Sequence, residues 1–353
     1  MVSTTSTEKL GVRRGEYAGA ETALVFSDCR AEFLALRSGC GVYELKWERQ
    51  FLISGRDRVR WLNGMISNNV RDLAAGHGVY AFVLTPQGHI VGDLCVYNRG
   101  DDFVMVVEAA QADKLYAHLK RFIIMDQVEF KPAEEWAAIG IQGPKAEATL
   151  RAAGIEVPGL EQLQRADVKC GAAQATLVRG DHPLAPNYEL WSTAGQVPAL
   201  WDALVKAGAT PVGAEALELA RIAGGVPRYG QDIRERDLPQ ETGQMRAISF
   251  TKGCYIGQEI LERIRARGSL HRGFTGFRIV EGPLPTPGSK VQASGKEVGE
   301  VTSAAMLPAN DGEVPVALGY LRKEAGAAGA VVEIGASSAQ VEALPFTLSA
   351  EKI

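Results

Sequence analysis

The densest concentration of reactive and flexible residue types in this 353-residue chain is Thr251-Lys-Gly-Cys-Tyr-Ile-Gly-Gln-Glu259. Gly253 and Gly257 bracket a cysteine, an aromatic and an aliphatic residue, and glycine permits close backbone approach. Lys252 stands two residues before Cys254, and an ammonium beside a thiol favours the thiolate where the side chains meet. That is the make-up of a reactive or ligand-facing cysteine. It also suits a small apolar residue buried in a turn. A basic cluster follows: Arg263, Arg265, Arg267, His271 and Arg272. It fits either a grip on a polyanion, such as a polyglutamate tail or a phosphate, or a solvated helix face balanced by Glu259 and Glu262.

Two carboxylates sit in strand-like text. Asp93 follows Gly92 and lies among Val91, Leu94 and Val96; Glu189 lies in Asn187-Tyr-Glu-Leu-Trp191. In an alternating strand such a group is either on the solvent face or buried for a purpose. No P-loop, no GxGxxG after a strand, no HExxH and no GxSxG is present. The histidines lack metal-ligand spacing and the five cysteines are scattered without a CxxC, so neither a metal site nor a disulfide framework is expected. A reducing cytoplasm is the simplest setting for such thiols. The formal net charge of -4 argues against bulk nucleic-acid binding. No apolar run approaches about 18 residues, so no membrane span is expected.

The elements that must position these residues follow from periodicity. Residues 1–21 are polar and read as a mobile arm. Phe51–Ser54 predicts a strand, and Val59, Leu62 and Ile66 then share a helix face. Tyr80–Thr85 and His89–Tyr97 predict a hairpin about Pro86-Gln-Gly88, followed by a strand at Phe103–Glu108 and a helix over Gln111–Phe122. Ala138–Ile141, a helix opening at Pro144, strands near Ala175–Val178 and Tyr188–Ser192, and helices over Val197–Lys206 and Ala214–Ile222 make a second unit of similar size. From Phe274 the apolar runs are short and separated by glycine and proline, with the last at Ala343–Leu348, which predicts a small β-barrel or sandwich.

At Lys252-Gly-Cys-Tyr-Ile-Gly-Gln-Glu259 the chain resembles the YgfZ family signature K-G-C-[YF]-x-G-Q-E, and Arg221-Ile222 with Gly225–Asp232 resembles that family's R-I-E-x-G-x-P-x-x-G-x-D stretch, with Ala223 at the acidic position. Residues 24–350 resemble the wider glycine-cleavage T-protein (aminomethyltransferase) superfamily. Gly55-Arg-Asp57 with Leu62, Gln142-Gly-Pro144, Gly299–Ser303 and Ala317–Tyr320 carry that likeness. The superfamily's G-G-I-x-D-D-L is Gly88-His-Ile-Val-Gly-Asp-Leu94 here: the first aspartate is Gly92, and the second, catalytic one is retained as Asp93. The pterin-holding glutamate falls on Glu189, although the glycine-rich tract before it is replaced by Asp181–Pro186. Of R-D-S-L-R-L-E, one arginine survives as Arg221 and the first is Leu217.

The resemblance implies an α+β fold: a three-domain ring of two intertwined ferredoxin-like α+β domains plus a C-terminal β-barrel. The folate-binding region would span 22–270, with 22–50 interleaved with 131–225 and 51–130 with 226–270, and the barrel would span 271–353. It implies tetrahydrofolate, or a one-carbon-substituted form, as cofactor. Cys254 and Asp93 would be catalytic, and Glu189, Arg221, Lys252, Tyr255 and Gln258 would contact the cofactor. The YgfZ signature implies a protein that supports assembly or repair of iron–sulfur clusters, with client enzymes or cluster-assembly proteins as partners; a cytoplasmic monomer is expected. One unpaired cysteine cannot itself hold a cluster, which takes about four. The retained Asp93 implies the alternative, a folate-dependent aminomethyltransferase, and a third reading is a folate-binding module without chemistry.

Overall fold

The computed structural model describes residues 11–171, 173–268, 270–309 and 312–348. Strands and helices are numbered in chain order. Arg13–Tyr17 (β1) and Ala20–Val25 (β2) pair as an antiparallel hairpin. The expected mobile arm over 1–21 is thus corrected from Arg13 onward, while residues 1–10 lie outside the described residues. Charge holds this hairpin where apolar patterning is silent: Arg14 donates to Glu44 at 3.2 Å and Arg13 pairs with Glu215. Helix α1 (Cys29–Ser38) follows, capped by the Asp28 side chain, which accepts from the Ala31 N–H at 2.8 Å.

Two sheets follow. The six-stranded one runs β10 (Arg165–Cys170), β11 (Ala173–Arg179), β12 (Asn187–Thr193), β9 (Trp136–Gln142), β3 (Gly41–Glu44), β13 (Thr210–Pro211). Helices α4 (Ala146–Ala152) and α5 (Val197–Lys206) cover one face, burying Ile139, Ile141, Leu150, Leu190, Leu200 and Leu204 together. The five-stranded sheet runs β5 (Gly78–Leu84), β6 (Ile90–Asn98), β7 (Phe103–Glu108), β4 (Glu48–Ser54), β8 (Glu129–Pro132). Helix α2 (Arg58–Met65) brings Trp61 to within 5.8 Å of Phe130, and α3 (Ala109–Lys120) brings Tyr116 to within 5.3 Å of Phe51. The remaining faces of the two sheets meet through Tyr97, Val104, Val106, Val178 and Trp191, with Tyr97 set edge-on to Trp191 at 5.1 Å. Burying apolar area at about 25 cal/mol per Å² clamps the sheets together at this end.

The C-terminal strands close a barrel in the order β14 (Arg272–Glu281), β17 (Gly312–Arg322), β16 (Lys296–Ala309), β15 (Lys290–Ala293), β18 (Val331–Ile334), β19 (Ser337–Glu342). Closure removes the open edges that a short-stranded sheet would expose. Phe277, Val291, Val301, Ala317, Val332 and Val341 fill it. Helix α6 (Ala214–Gly224) leads out of the six-stranded sheet, and α7 (Gln258–Arg267) precedes the barrel. The α+β sheets followed by a barrel match the texture predicted from sequence.

Contacts divide the chain into two compact units. One runs to Ala81 and resumes over Asp93–Leu217; the other joins Phe82–Gly92 to Glu218 and all that follows. Several local expectations shift. Helix α3 ends at Lys120, leaving Phe122 37% exposed beyond it. Pro144 precedes α4 by two residues. The last strand among the described residues is Ser337–Glu342; the apolar residues of 343–348 include Phe346 and Leu348, which are buried outside any strand. The mixed strand β10 carries no clean alternation and escaped the sequence reading.

Candidate active site

Asp93 stands on β6 two residues before Cys95 and four before Tyr97, so these three side chains share a face. That face is the one turned toward the six-stranded sheet, because Tyr97 packs on Trp191 there. Both Asp93 oxygens are held. Tyr80 Oη donates to Oδ2 at 2.6 Å and Gln111 Nε2 donates to Oδ1 at 2.6 Å. Asp93 N donates back to Gln111 Oε1 at 3.0 Å, and Gln111 is itself 3% exposed. The solvent-face alternative for Asp93 is therefore wrong.

Glu189 projects from β12, where it lies opposite Gly140 on β9 and Val178 on β11. Gly140 is there because Tyr43 needs the space: a Cβ would sit 2.0 Å from Tyr43 Cε2. Trp191, two residues on and on the same face, donates its indole N–H to Glu189 Oε2 at 2.7 Å. Burial pushes the Glu189 carboxyl above the usual carboxylate range, and the Trp191 bond pulls the other way.

A third carboxylate joins from β4. Glu48 lies directly opposite Glu108 in the β4–β7 ladder. Burial, then the charges of Glu189 and Glu108, push it well above the ordinary value. The buried Tyr43 and Tyr97 hydroxyls are also pushed up, first by burial and then in part by Glu189 and Glu48. By strand alternation Glu48 shares the β4 face of Leu52, Glu108 the β7 face of Val106 and Glu189 the β12 face of Trp191, so the three carboxylates lie on the faces that also carry the apolar clamp. Sequence reading missed Glu48, Tyr80, Gln111 and Tyr43. A glutamate at Glu48, two residues from buried Gln50 on a strand that Phe51 and Ile53 anchor, was the available signal. No group of His, Cys, Asp and Glu among the described residues is arranged to hold a metal ion. A groove of about 1140 Å³ is lined by Arg99, Trp136, Arg165, Lys169 and Trp191 among others, yet by none of these carboxylates.

In the second unit the Lys252–Glu259 stretch is a turn into α7. Gly257 has φ +85°, and a Cβ there would lie 2.6 Å from the Thr85 carbonyl at the tip of the β5–β6 hairpin. Gln258 Oε1 accepts from Tyr255 N at 3.3 Å, and the buried Lys252 ammonium lies 4.8 Å from the Tyr255 ring centre. Burial and then Glu262 push the Tyr255 hydroxyl up to about 12. Cys254 is exposed, so it is not the buried turn residue that was the alternative. The basic cluster resolves as a solvated helix face: Arg263 pairs with Glu259 at 2.7 Å and Arg265 with Glu262 at 3.6 Å. Arg272 is committed to Asp237 and Glu241 at 2.8 and 2.9 Å.

Arg221 does not fit its expected ligand role. Its five N–H groups go to Glu218 twice, to Asp232, to the Val226 carbonyl and to Ser303 Oγ, at 2.6–2.9 Å. A guanidinium has five donors, so none is left over for a folate. Arg221 pins α6 to the barrel strand β16 through fully buried Asp232.

Residues 3–252 match the GCVT N-terminal domain family, and residues 272–348 match the glycine cleavage T-protein C-terminal barrel domain. The chain belongs to the glycine cleavage T-protein family. An aminomethyltransferase of Rubrobacter xylanophilus is 31% identical over 85% of this T-protein homologue and 81% of its own length, and one of Geobacillus kaustophilus is 28% identical over 96% and 95%. The crystal structure of glycine cleavage system aminomethyltransferase T from Bartonella henselae superposes with a TM-score of 0.87 at 22% identity, covering 96% of this chain and 95% of that one, which establishes the shared fold. The aminomethyltransferase family uses tetrahydrofolate.

These matches overturn the iron–sulfur reading. The likeness to T-proteins runs over 96% of the chain, whereas the YgfZ likeness rests on two short stretches: Lys252–Glu259, whose Gly257, Tyr255 and Gln258 already have packing duties, and Arg221–Asp232, whose Arg221 and Asp232 pair with each other. Iron–sulfur clients as partners fall with it. No helix among the described residues of this T-protein homologue is long and apolar enough to cross a membrane.

Proposed function

We propose that this T-protein family member is a folate-dependent aminomethyltransferase, releasing ammonia from an aminomethylated lipoyl carrier while its one-carbon unit passes to tetrahydrofolate. The observation that carries the proposal is the double clasp on Asp93, with both oxygens fixed by Tyr80 and Gln111 on the face shared with Tyr97. Tetrahydrofolate supplies the amine nitrogens that take up the one-carbon unit. Asp93 supplies preorganised negative charge where cationic character develops, and needs no reorganisation to do so. Glu189 accepts from the N–H groups of the ring edge, and the Trp191 indole fixes the carboxylate's direction. The apolar clamp around Tyr97 and Trp191 keeps water from the ring-binding end.

The residues fit a donor-rich ring. Glu48 Oε2 is buried with no hydrogen-bond partner, and Glu189 shares the β12 face of Trp191, which packs between the sheets. Lys252, Tyr255, Gln258 and Cys254 enter the proposal only as residues of the second unit: the first three shape the turn, and the exposed thiol is dispensable for transfer. The test is direct. Purified protein given the aminomethylated carrier and tetrahydrofolate should release ammonia and form methylene-folate, and Cys254→Ser should do so at the wild-type rate. Absence of turnover by the wild type sinks the proposal; loss in the serine variant returns Cys254 to the mechanism.

A further inference from the structure

The sheet face that carries Glu189 continues past Trp191 and emerges from the apolar clamp as the floor of the groove of about 1140 Å³. The strand register sets out its rows. Asp167 on β10 lies opposite Thr176 on β11, which lies opposite Trp191 on β12. One row further out, Lys169 lies opposite Gln174, and Thr193 lies opposite Trp136 on β9. The β11–β12 ladder stops at Thr176, and Ser192 Oγ holds the two strands together beyond it by donating to the Gln174 carbonyl at 2.8 Å. Lys169, Gln174, Thr193 and Trp136 thus stand in line across four strands, about 14 Å from end to end at about 4.8 Å per strand. All four line the groove, and all belong to one compact unit.

The row changes chemistry along its length. At the β9 end the Arg99 guanidinium lies over the Trp136 ring, 4.9 Å from its centre, and Asp102 holds Arg99 Nε at 3.0 Å. Together they make a flat cationic surface, which suits a planar ring. In the middle, the exposed side chains of Gln174 and Thr193 have no hydrogen-bond partner among the described residues. At the β10 end the exposed Lys169 makes no ion pair among them, whereas Arg165 is committed to Asp167 and Thr176. The bridge between Ile155 and Cys170 sets Glu156, also exposed and unpaired, across from Lys169. A simple cation would find the Trp136 ring already covered by Arg99. An apolar ligand would meet a polar floor, and a bare anion only one free ammonium. A flat ring, a diol and a phosphate, in that order, match the row. We propose that the groove binds a nucleoside monophosphate, with its base on the Arg99–Trp136 surface, its sugar hydroxyls on Thr193 and Gln174, and its phosphate on Lys169. Glu156 faces the same phosphate and holds the affinity down.

Calorimetric titration of the full chain with AMP, adenosine and inorganic phosphate tests this. AMP should bind at least about fivefold more tightly than either half, because each half forfeits one end of the row. Lys169→Gln should weaken AMP by about fivefold, the scale of one exposed charge pair, and Lys169→Arg should retain it. Glu156→Gln removes the repulsion and should tighten AMP by about twofold or more. Both side chains are exposed, so neither change threatens the fold. The site is independent of the transfer reaction: ammonia release by Lys169→Gln should match the wild type. Absent turnover with intact AMP binding therefore sinks the transferase reading and leaves the groove assignment standing. No AMP binding at millimolar concentration overturns the assignment, as does AMP binding undiminished in Lys169→Gln, which places it elsewhere. Phosphate binding as tightly as AMP overturns it too, because the base would then contribute nothing.

Discussion

Gln111 clasps Asp93 from two directions at once: its amide donates to Asp93 Oδ1 at 2.6 Å, and its carbonyl accepts from Asp93 N at 3.0 Å. Side chain and backbone are thereby locked together, and the carboxylate cannot rotate without breaking a buried amide pair. In the proposed transfer, Asp93→Asn keeps the shape, removes the charge and should lower the rate by on the order of 10²–10³. Gln111→Ala leaves the charge but frees its direction, and misplacement alone can cost up to about 10². Single-turnover ammonia release measures both. A Gln111→Ala variant with wild-type turnover would show that the clasp has no catalytic consequence.

Glu189 is predicted to be needed for affinity. Its truncation to alanine leaves two ring donors unpaired, at a cost of about 1–3 kcal/mol, or roughly 5- to 150-fold in Kd for a reduced folate. The Trp191 indole also loses its acceptor, so thermal unfolding must be run alongside the titration. Unaltered affinity in a folded variant would remove Glu189 from the site.

The buried acids make stability depend on pH in a direction opposite to that of an ion-paired carboxylate. Glu48 and Glu189 both hold their protons to higher pH in the folded chain than their ordinary values allow. The folded state then binds more protons than the unfolded one across that window, so stability falls as pH rises from about 4.3 through the raised values. Glu48→Gln removes its share. Urea midpoints taken at about pH 5 and about pH 8 should drop more for the wild type than for the variant. Equal drops would mean that Glu48 does not titrate high.

Arg221 separates structure from ligand binding. Arg221→Met leaves Asp232 buried without its cation and should cost about 3–5 kcal/mol. Titration of the folded fraction with a reduced folate should nevertheless give near wild-type affinity. A large affinity loss without destabilisation would restore its role as a ligand contact.

Residue types and spacing in the sequence were enough to determine the apolar run that makes Phe103–Glu108 a strand, a strand near Tyr188–Ser192, the helix over Val197–Lys206 and the all-β texture after Phe274, because each is set by local pattern. They also singled out Asp93 and Glu189 as carboxylates in apolar company. Tertiary structure alone decided what those side chains face. A strand's two faces are equivalent in its own sequence, and it took the packing of Tyr97 on Trp191 to turn Asp93 inward. Glu48 is an ordinary polar strand residue until Glu108 in the next strand and Glu189 in the other sheet close on it. The resemblance marked Arg221 as a ligand contact, and nothing local could correct that because Asp232 and Ser303, 11 and 82 residues away, meet it only in the folded chain. Local propensity acts over a few residues, whereas desolvation and charge coupling depend on groups brought together from far along the chain.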